Sequence, residues 1–535
     1  MRIASGSKLL AFTLFTVASF VGWEGCSPKT ATGIMPAATA EGSWAHHREH
    51  RRTSSASAIT HIFVIIQENR SLNNLFAADA TVASAANTTM TGEEENSSGG
   101  EVPIALHPAP LATSPDIDHC YYDAAVAENG SAKPMDGFNN ELRGNVCGPT
   151  YSSDTLAGSR PYSYVPQSTA LQPYWDLANT WVLASNYYPT ELGPSFVAHL
   201  NLIAGTDEYE ASPATAVADY PKDGFPWGCP DKTNNTVRWL TATATPNPYT
   251  GPVPCYTQFH TIADDLDCIY CKTTGSYGSE VAVPWKFYTV QTSSGPGIWS
   301  AFQAIKRVYH NGSGGDWNNI ETPPPKVLSD IPNGNDDTTG VVWITPEVTF
   351  SDHAAGTKDC GPSWVGNIVN LVGARAKLWN HSVIVVLWDD WGGWYDPAAP
   401  PSLDFRGFGI RTPMLIISPY AKTTQTSGSV STELFSSGSI LKFMEQTFDM
   451  PKLGSLPCGG SYSYVCNAGY TDYATGFTPT HSIGDVLNLN QSPRTYTAIS
   501  VKYGVNAFKK GGQCLPANSA YGSGYYGGGI APDDE

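Results

Sequence analysis

The sequence predicts an α/β fold built around a largely parallel central sheet. Apolar, β-branched runs of strand length recur along the chain, at Thr60–Gln67 and within PWKFYTV, VVWITP, SVIVVLW and PMLIISP. Helical patterns lie between or after them, chiefly SWVGNIVNLVGARAKLW and GSILKFMEQTF. Strands that alternate with helices are typical of a parallel sheet that is covered on both faces. The first run is apolar on both faces, so we expect it to be buried inside the sheet.

The composition is that of a globular, loop-rich protein with a weakly charged surface. Hydrophobic residues make up 41% of the 535 residues and charged residues only 15%, while Gly (51) and Pro (40) are frequent. The formal net charge is −18, and the sequence has no basic stripe interleaved with aromatic residues, so nucleic-acid binding is disfavoured. The basic cluster at 46–52 is better explained as a solvated tether than as a histidine metal site.

The N-terminus has the pattern of a secretory signal peptide. Arg2 and Lys8 precede an apolar run, Leu9–Trp23, which is too short and too poorly flanked for a membrane span. Cleavage after Ala40 would give a secreted protein, in the periplasm or outside the cell. The alternative is a lipid anchor on Cys26, although the residues ahead of it fit a lipidation motif poorly.

The cysteine count indicates disulfides. Removing Cys26 with the leader leaves ten cysteines, an even number that allows up to five disulfides in an oxidising compartment. The C-x-x-C formed by Cys268 and Cys271 is better explained by a disulfide than by zinc, which would need further ligands. Cysteines that are neighbours in the sequence are plausible partners, namely Cys120/Cys147, Cys229/Cys255 and Cys458/Cys466.

The composition changes along the chain and divides it into four segments. In order, they are a leader (1–40), a linker (41–59), a single folded domain (60–510) and a Gly/Tyr-rich flexible tail (511–535). Three parts of the domain are rich in Gly, Pro, Asn or small polar residues and are expected to be loop-rich insertions. They lie near 83–101, 227–254 and 311–340. The first of them is low in complexity, and we expect a mobile loop there.

Two predicted strands end directly in polar side chains. HIFVIIQ is followed by Glu68 and Asn69, and SVIVVLW is followed by Asp389 and Asp390. Ligands of open α/β sheets bind at the carboxyl ends of the strands, so these four side chains are expected to converge. Their oxygens suit a hard divalent cation such as Mg²⁺, Ca²⁺ or Mn²⁺, which would relieve the repulsion between the carboxylates. Taken singly, each pair is also explained as a helix start or a turn.

A serine and a histidine are further candidates for this edge of the sheet. Ser195 opens the helical pattern SFVAHLNLIAGT, where it is either a nucleophile beside backbone N–H groups or simply the N-cap. It is not part of a G-x-S-x-G elbow, because no glycine stands two residues after it. A third strand end, VVWITPEVTFSDH, leads to Asp352 and His353. The glycines at 392–393 would let a substrate or a backbone segment approach closely.

Five segments, in the same order along the chain, resemble a bacterial phosphoesterase family. That family includes phosphatidylcholine-type phospholipase C and a secreted acid phosphatase. The segments lie between about Thr60 and Leu453, and the resemblance implies an alkaline phosphatase-like three-layer α/β sandwich with loop-rich insertions. In chain order, the first four segments are HIFVIIQENRSLNNLF, DIDHCYYDAAVAENGSAKPMDGF, GPSFVAHLNLIAGT and SDHAAGTKDCGPSWVGNIVNLV. The fifth consists of VVLWDDWGGWYDPAAPP and the run GIRTPMLIISPYAK that follows it.

The resemblance also implies an activity and a set of site residues. The activity is hydrolysis of a phosphate monoester or diester, with Ser195 as the nucleophile and a phosphoserine intermediate. His119 and His353 would hold the phosphate or assist proton transfer. The substrate would be a small phosphoester or a phospholipid headgroup, with membrane contact only through that lipid or an anchor at Cys26. One divalent metal ion, such as Ca²⁺, Mg²⁺ or Mn²⁺, would be held by Glu68, Asn69, Ser195, Asp389 and Asp390.

The chain departs from the family pattern at three places. Members often read Asp-Glu where this chain has Asp389 and Asp390, and Asp-His where it has Asp396 and Pro397. A further Asp-His pair is replaced by the serines at 436–437, so the substrate preference cannot be carried over. Two other functions stay open: a sulfatase, whose C/S-x-P-x-R motif GPSFVAH lacks, and an inactive extracellular binding protein on the same scaffold.

Overall fold

An eight-stranded sheet lies at the centre of the fold. The structure, a computed structural model, describes much of the chain from residue 58 onward. The described residues are 58–113, 116–143, 156–211, 214–219, 227–230, 236–241, 249–252, 255–257, 259–268, 282–290, 297–355, 358–401, 406–423, 428–450, 452–453, 481–509 and 514.

The strands and α-helices of these residues are numbered in chain order. The strands are β1 His61–Gln67, β2 Thr91–Glu95, β3 Glu101–Ala105, β4 His107–Pro108, β5 Ser163–Tyr164, β6 Val182–Tyr187, β7 Glu208–Ala211, β8 Ala214–Val217, β9 Thr236–Thr241, β10 Tyr249–Pro252, β11 Trp285–Tyr288, β12 Ile320–Glu321, β13 Val341–Ile344, β14 Ser382–Trp388, β15 Thr412–Ile417 and β16 Ser429–Phe435. The helices are α1 Leu72–Phe76, α2 Tyr121–Glu128, α3 Gln172–Thr180, α4 Ser195–Ala204, α5 Ile262–Leu266, α6 Lys306–Tyr309, α7 Val327–Asn333, α8 Gly361–Gly373, α9 Ala376–Trp379 and α10 Ser437–Phe448.

The central sheet has the strand order β12-β11-β13-β1-β14-β15-β6-β16. Strand β15 alone runs against its neighbours: it is antiparallel to β14 and to β6, and all the other neighbouring pairs are parallel. The expected α/β fold with a largely parallel central sheet is therefore confirmed. A smaller antiparallel sheet, β10-β9-β8-β7, and the strand pairs β2-β3 and β4-β5 lie outside the central sheet.

The two strands that matter most for the site are neighbours in the middle of the sheet. Every residue of β1 and of β14 is buried, as their apolar, β-branched sequences predict. Their register pairs Gln67, the last residue of β1, with Trp388, the last residue of β14. Because the two strands end at the same level, Glu68 and Asp389 leave the sheet side by side.

Seven of the described helices fall into two groups that pack among themselves. Helix α8 contacts α3, α7 and α9, whereas α4 contacts α5 and α10. Their apolar residues join the sheet in one large hydrophobic core, so the arrangement is a helix–sheet–helix sandwich. The patterns SWVGNIVNLVGARAKLW and GSILKFMEQTF, which predicted helices, correspond to α8 with α9 and to α10.

The segment expected to be a mobile loop, 83–101, contains a strand instead. Strand β2 pairs with β3 in antiparallel register, with Thr91 opposite Ala105. Gly92 explains why the low-complexity sequence was misleading. A Cβ atom there would lie 2.9 Å from Tyr395 Cζ and 3.0 Å from Tyr162 Cδ1. The absence of a side chain therefore lets the hairpin pack against two aromatic rings, a tertiary contact that local composition does not reveal.

Two other segments have more structure than was expected. The segment 311–340 contains helix α7 and strand β12, which extends the sheet by pairing with β11. The segment 227–254 is described only in part and contributes β9 and β10. Strand β12 is two residues long, and a run that short carries no periodicity that a sequence could reveal.

Disulfides are present, as the cysteine count predicted. The expected pair Cys229–Cys255 is formed, and Cys360 is bonded to Cys514, a long-range pair that sequence proximity does not suggest. Cys514 lies in the predicted flexible tail, so the tail is tied to the domain at that residue. Cys268 is also disulfide-bonded. The Cys120 thiol donates a hydrogen bond to the Asp123 carboxylate at 2.8 Å.

Several expectations fall outside the described residues. They concern the leader with Cys26, the basic cluster at 46–52, the cysteines Cys147, Cys271, Cys458 and Cys466, and the tail apart from Cys514. Within the described part of the chain, none of the helices is both long enough and apolar enough to span a membrane.

Candidate active site

The loops that follow β1 and β14 are locked together by their backbones. Asn69 has a φ of 61°, in the left-handed region that asparagine tolerates, and its backbone N–H donates to Asp389 Oδ1 at 3.0 Å. Gly392 also has a φ of 61°, and a Cβ atom there would lie 2.3 Å from the Asn69 carbonyl oxygen. Its N–H donates to Asp390 Oδ1 at 2.7 Å. Gly392 is therefore required for the close approach of the two loops, which is the backbone contact that the sequence suggested.

Ser195 lies at the same edge of the sheet. It is the first residue of α4, which follows β6, and Pro194 rather than Ser195 is the N-cap residue. The Ser195 side chain is fully buried, and its Oγ lies 3.3 Å from Asp390 Oδ2 and 3.4 Å from Asn69 Oδ1. Its hydroxyl therefore faces the strand-end residues, which the N-cap alternative did not require.

Three buried carboxylates converge beside Ser195. Glu68, Asp389 and Asp390 are each at most 1% exposed. Asp389 Oδ2 is buried and has no hydrogen-bond partner among the described residues. A buried carboxylate oxygen without a hydrogen-bond partner is costly, and a bound cation would offset that cost.

The side-chain amide of Asn69 lies between these carboxylates and two histidines. One end of the amide lies 2.6 Å from His119 Nε2 and 3.1 Å from His353 Nε2. The other end lies 3.3 Å from Glu68 Oε2 and 3.2 Å from Asp389 Oδ1. Which end carries the oxygen therefore determines what the site can bind.

If both imidazole rings are neutral, their tautomers determine the orientation of the Asn69 side-chain amide. His119 Nδ1 lies 2.7 Å from a backbone carbonyl oxygen, and His353 Nδ1 lies 2.6 Å from another. Carbonyl oxygens only accept hydrogen bonds, so both Nδ1 atoms carry the proton and both Nε2 atoms accept. The NH₂ of Asn69 then donates to both histidines, and its oxygen faces the carboxylates.

In this orientation the Asn69 side-chain oxygen, a hydrogen-bond acceptor, faces carboxylate oxygens, which are acceptors as well. A cation bound among Asn69 Oδ1, Glu68 and Asp389 would turn this repulsion into coordination, because amide and carboxylate oxygens are ligands of hard divalent cations. Reversing the amide would satisfy the carboxylates without a cation, but both imidazole rings would then have to be protonated at both nitrogens. With neutral histidines, the donor set therefore fits a divalent metal ion.

His119 and His353 form a second cluster on the far side of Asn69. Their ring centroids lie 5.8 Å apart, and Asp116 Oδ2 lies 4.0 Å from His119 Nδ1 and 3.8 Å from His353 Nε2. The histidine rings also contact the indoles of Trp391 and Trp299, respectively. The structure thus brings both predicted histidines next to Asn69, with a carboxylate that the sequence did not single out.

His199 is a second site residue that was missed. Its Nε2 lies 3.0 Å from Glu68 Oε1 and 3.8 Å from Asp389 Oδ2, and its side chain is 2% exposed. It lies one helical turn after Ser195 in α4. The i, i+4 spacing of a serine and a histidine was the available signal, but that spacing is common in helices whose residues have only structural roles.

Two acids near the predicted site point away from it. The Asp352 carboxylate accepts hydrogen bonds from the Tyr174 hydroxyl at 2.7 Å and the Trp388 indole at 3.1 Å. Burial raises the pKa of Asp352 to about 6, although these hydrogen bonds and the charge of Arg70 lower it. Asp396 is paired with Arg411 at 2.9 Å, and both side chains are fully buried. Both acids stabilise the loops around the site.

The departures from the family pattern are accommodated by local structure. Ser436 is the N-cap of α10 and forms a capping box with Ser439. Ser437 Oγ lies 3.3 Å from the Tyr187 hydroxyl and 3.4 Å from the Thr190 backbone nitrogen. These serines therefore begin a helix beside the ends of β6 and β16.

Several known proteins are similar to this chain. The hemolytic phospholipase C of Pseudomonas aeruginosa is 25% identical over 130 residues, and the non-hemolytic phospholipase C of that species is 24% identical over 140 residues. Each match covers 20% of this chain and spans only 17% and 20%, respectively, of the relative's length.

Solved structures give weaker similarities. A protein of the alkaline phosphatase superfamily from Vibrio parahaemolyticus aligns with a TM-score of 0.27 and 10% identity, over 52% of this chain and 60% of that one. The PsFucS1 sulfatase from Pseudoalteromonas sp. aligns with a TM-score of 0.32 and 12% identity, over 60% and 67%.

The family match covers most of the chain. The model of the Phosphoesterase family matches residues 59–451, a range that contains all five segments in which the resemblance was noticed. It includes both strand-end loops, Ser195 and the two predicted histidines. This chain therefore belongs to the Phosphoesterase family.

Proposed function

We propose that this protein is a secreted, metal-dependent phosphoesterase that hydrolyses phosphate monoesters or diesters through a phosphoserine intermediate. Membership of the Phosphoesterase family supports hydrolysis of phosphoesters. The observation that carries the metal requirement is the orientation of Asn69. Its oxygen faces Glu68 and Asp389 when the two histidines behind it are neutral.

The proposed metal ligands come from three elements that meet at one edge of the sheet. A divalent ion such as Ca²⁺, Mg²⁺ or Mn²⁺ would neutralise the buried carboxylates and favour the ionised form of the Ser195 hydroxyl. The mixed oxygen donors match the preferences of these ions. The proposed ligands are Glu68, Asn69, Ser195, Asp389 and Asp390. Of these, Glu68 and Asp389 form, with His199, a group whose ligand atoms all lie within 4.8 Å of one another.

Ser195 would perform the first chemical step. Asp390 orients the hydroxyl by accepting its hydrogen bond at 3.3 Å. Attack of Oγ on phosphorus forms the phosphoserine and expels the ester oxygen. The N-terminus of α4 lies at Ser195, and the N-terminus of a helix favours the negative charge of phosphoryl oxygens. Water then cleaves the P–Oγ bond and releases phosphate or its monoester.

His119 and His353 would assist proton transfer as bases, because in the neutral rings each Nδ1 proton is donated to a backbone carbonyl and each Nε2 carries a lone pair. Both imidazoles lie against Asn69, within one side chain of the proposed nucleophile. A general acid–base group typically contributes about 10²–10⁴-fold to the rate. Ser195→Ala should therefore lower kcat by more than His353→Ala does. Equal, small losses in the two variants would contradict the assigned roles.

The substrate is proposed to be a small phosphoester or a phospholipid headgroup. The phospholipase C relatives support a lipid headgroup, and the acidic composition gives no support for nucleic acid. Contact with a membrane would arise only through a lipid substrate or an anchor at Cys26. Secretion is supported by the disulfides, which form in oxidising compartments.

A paired assay tests this function. Full-length protein is stripped with a chelator, reloaded with Ca²⁺, Mg²⁺ or Mn²⁺, and assayed across pH with p-nitrophenyl phosphate and p-nitrophenylphosphorylcholine. We expect turnover of at least one substrate, its loss in the stripped protein and its recovery on reloading. Ser195→Ala, purified identically, controls for contaminating phosphatases.

Three results would contradict the proposal, the third with p-nitrophenyl sulfate as an additional substrate. Turnover that is unaffected by the chelator would remove the metal from the mechanism. No turnover by metal-loaded protein would favour the inactive binding protein, and turnover of p-nitrophenyl sulfate alone would favour a sulfatase.

A further inference from the structure

His199 lies on the same face of α4 as the proposed nucleophile. Residues four apart in a helix are neighbours on its surface, so Ser195 and His199 project in the same direction from one rigid element. Every residue of α4 is buried, including both of these polar ones. A buried histidine needs polar partners for its ring nitrogens, and Nε2 of this one has them in the site.

The contacts of His199 are with carboxylates of the proposed metal site. Its Nε2 lies 3.0 Å from Glu68 Oε1, which is hydrogen-bond distance, and 3.8 Å from Asp389 Oδ2. Both carboxylate side chains are 0% exposed. Among the described residues, Asp389 Oδ2 accepts no hydrogen bond. The imidazole therefore donates to Glu68 and stands next to the oxygen that lacks a donor.

The two oxygens of the Glu68 carboxylate have different contacts. Oε1 accepts the hydrogen bond from His199, and Oε2 lies 3.3 Å from the Asn69 amide. A carboxylate held by one oxygen presents the other in a fixed direction. Hydrogen-bond partners of this kind orient metal ligands and raise their affinity for the ion.

We propose that His199 is a positioning residue that holds Glu68 in its metal-binding orientation. The inference rests on the proposed metal-dependent function. Helix α4 would then fix both the nucleophile and a metal ligand, since one helical turn carries Ser195 and the histidine that holds Glu68. The N–H group at Nε2 is the essential feature, rather than the volume of the ring.

Three substitutions separate this role from others. His199→Gln places an N–H donor close to the position of Nε2, whereas His199→Asn places its donor at the position of Nδ1. His199→Phe keeps a ring and removes both nitrogens. A ring needed only for packing would be replaced by Phe, whereas the hydrogen-bond donor at Nε2 would be replaced by Gln and not by Phe.

The quantity measured is the Kd of each variant for the metal ion, which does not depend on catalytic turnover. Stripped wild-type protein and the three variants are titrated calorimetrically with Mn²⁺, Mg²⁺ and Ca²⁺, after circular-dichroism melting has shown which variants are folded. We expect His199→Asn and His199→Phe to raise the Kd by about 10–100-fold, the usual effect of losing such a partner. His199→Gln should bind close to the wild type.

The outcomes distinguish this inference from the proposed function. Wild-type affinity in His199→Phe, or in His199→Asn if the Phe variant does not fold, would overturn the positioning role. So would a folded His199→Gln that binds as weakly as the other two, because the ring nitrogen would then itself be the ligand. Wild-type protein that binds none of the three ions would overturn the proposed function together with this inference.

Discussion

Asn69 and His119 lie 2.6 Å apart, and the tautomer of that histidine determines which end of the Asn69 amide faces the carboxylates. Because His119 Nδ1 donates to a backbone carbonyl, a neutral ring can only accept at Nε2. The amide NH₂ must then point to the histidine and the amide oxygen to the opposite side. A hydrogen bond to the backbone thus turns the Asn69 side-chain oxygen toward the carboxylates of the proposed metal site.

The first prediction concerns the carboxylates of this site. Asp389→Asn should make the chelator-treated protein more stable, by about 1–3 kcal/mol, because it replaces a buried carboxylate whose Oδ2 accepts no hydrogen bond among the described residues. The same variant should lose the stabilisation by metal, which for wild-type protein reaches about 2.7 kcal/mol at a metal concentration of 100 Kd. Urea unfolding with chelator and with metal measures both effects. If metal stabilises the variant as much as the wild type, Asp389 is not a ligand.

The second prediction concerns the contact between the two strand-end loops. Gly392→Ala should destabilise the protein and abolish metal binding, because the new Cβ atom would lie 2.3 Å from the Asn69 carbonyl oxygen at a φ of 61°. Gly504→Ala is a matched control, since a Cβ atom there has no neighbour within 4 Å. Thermal melting and metal titration of both variants provide the comparison. Metal affinity in Gly392→Ala equal to that in the control would show that the loops can separate without harm to the site.

The third prediction concerns pH and a buried acid on the loop after β13. Burial raises the pKa of Glu347 from 4.5 to about 7. Between pH 4.5 and about 7, the Glu347 carboxyl is therefore protonated in the folded protein and ionised in the unfolded chain. Glu347 thus lowers the free energy of unfolding as the pH rises through this range. At pH 8, Glu347→Gln should be more stable than the wild type by about 1–3 kcal/mol, and near pH 4 the two should be equal.

Chemical unfolding at pH 4, 6 and 8 tests that prediction. Glu101→Gln serves as the control, because Glu101 is exposed in β3 and its replacement should have little effect at any pH. A stabilisation by Glu347→Gln that is the same at pH 4 and pH 8 would arise from packing rather than from ionisation.

The central strands and the residues at their ends could be predicted from the sequence because the relevant signals are local. The runs of β1 and β14 are apolar on both faces, which indicates burial on both sides, and Glu68 and Asp389 follow them directly. The rule that ligands bind at the carboxyl ends of parallel strands then brings these residues together. The register between Gln67 and Trp388 is the physical basis of that success.

Other features depend on tertiary contacts that a single sequence does not display. The reversed direction of β15 and the pairing of β2 with β3 are set by neighbouring elements and by rings packed over Gly92. The choice between N-cap and nucleophile for Ser195 depends on where α4 begins and on what its hydroxyl faces. His199 and Asp116 look like ordinary polar residues until the fold places them beside Glu68 and His119, respectively.

The most direct test of the account is the chemical state of Ser195 during turnover. Metal-loaded protein is mixed with excess p-nitrophenyl phosphate, quenched in acid during the steady state, digested and analysed by mass spectrometry. We expect one phosphoryl group on Ser195, absent from chelator-treated protein and from Ser195→Ala. Metal-dependent turnover that leaves Ser195 unmodified, and that persists in Ser195→Ala, would contradict it.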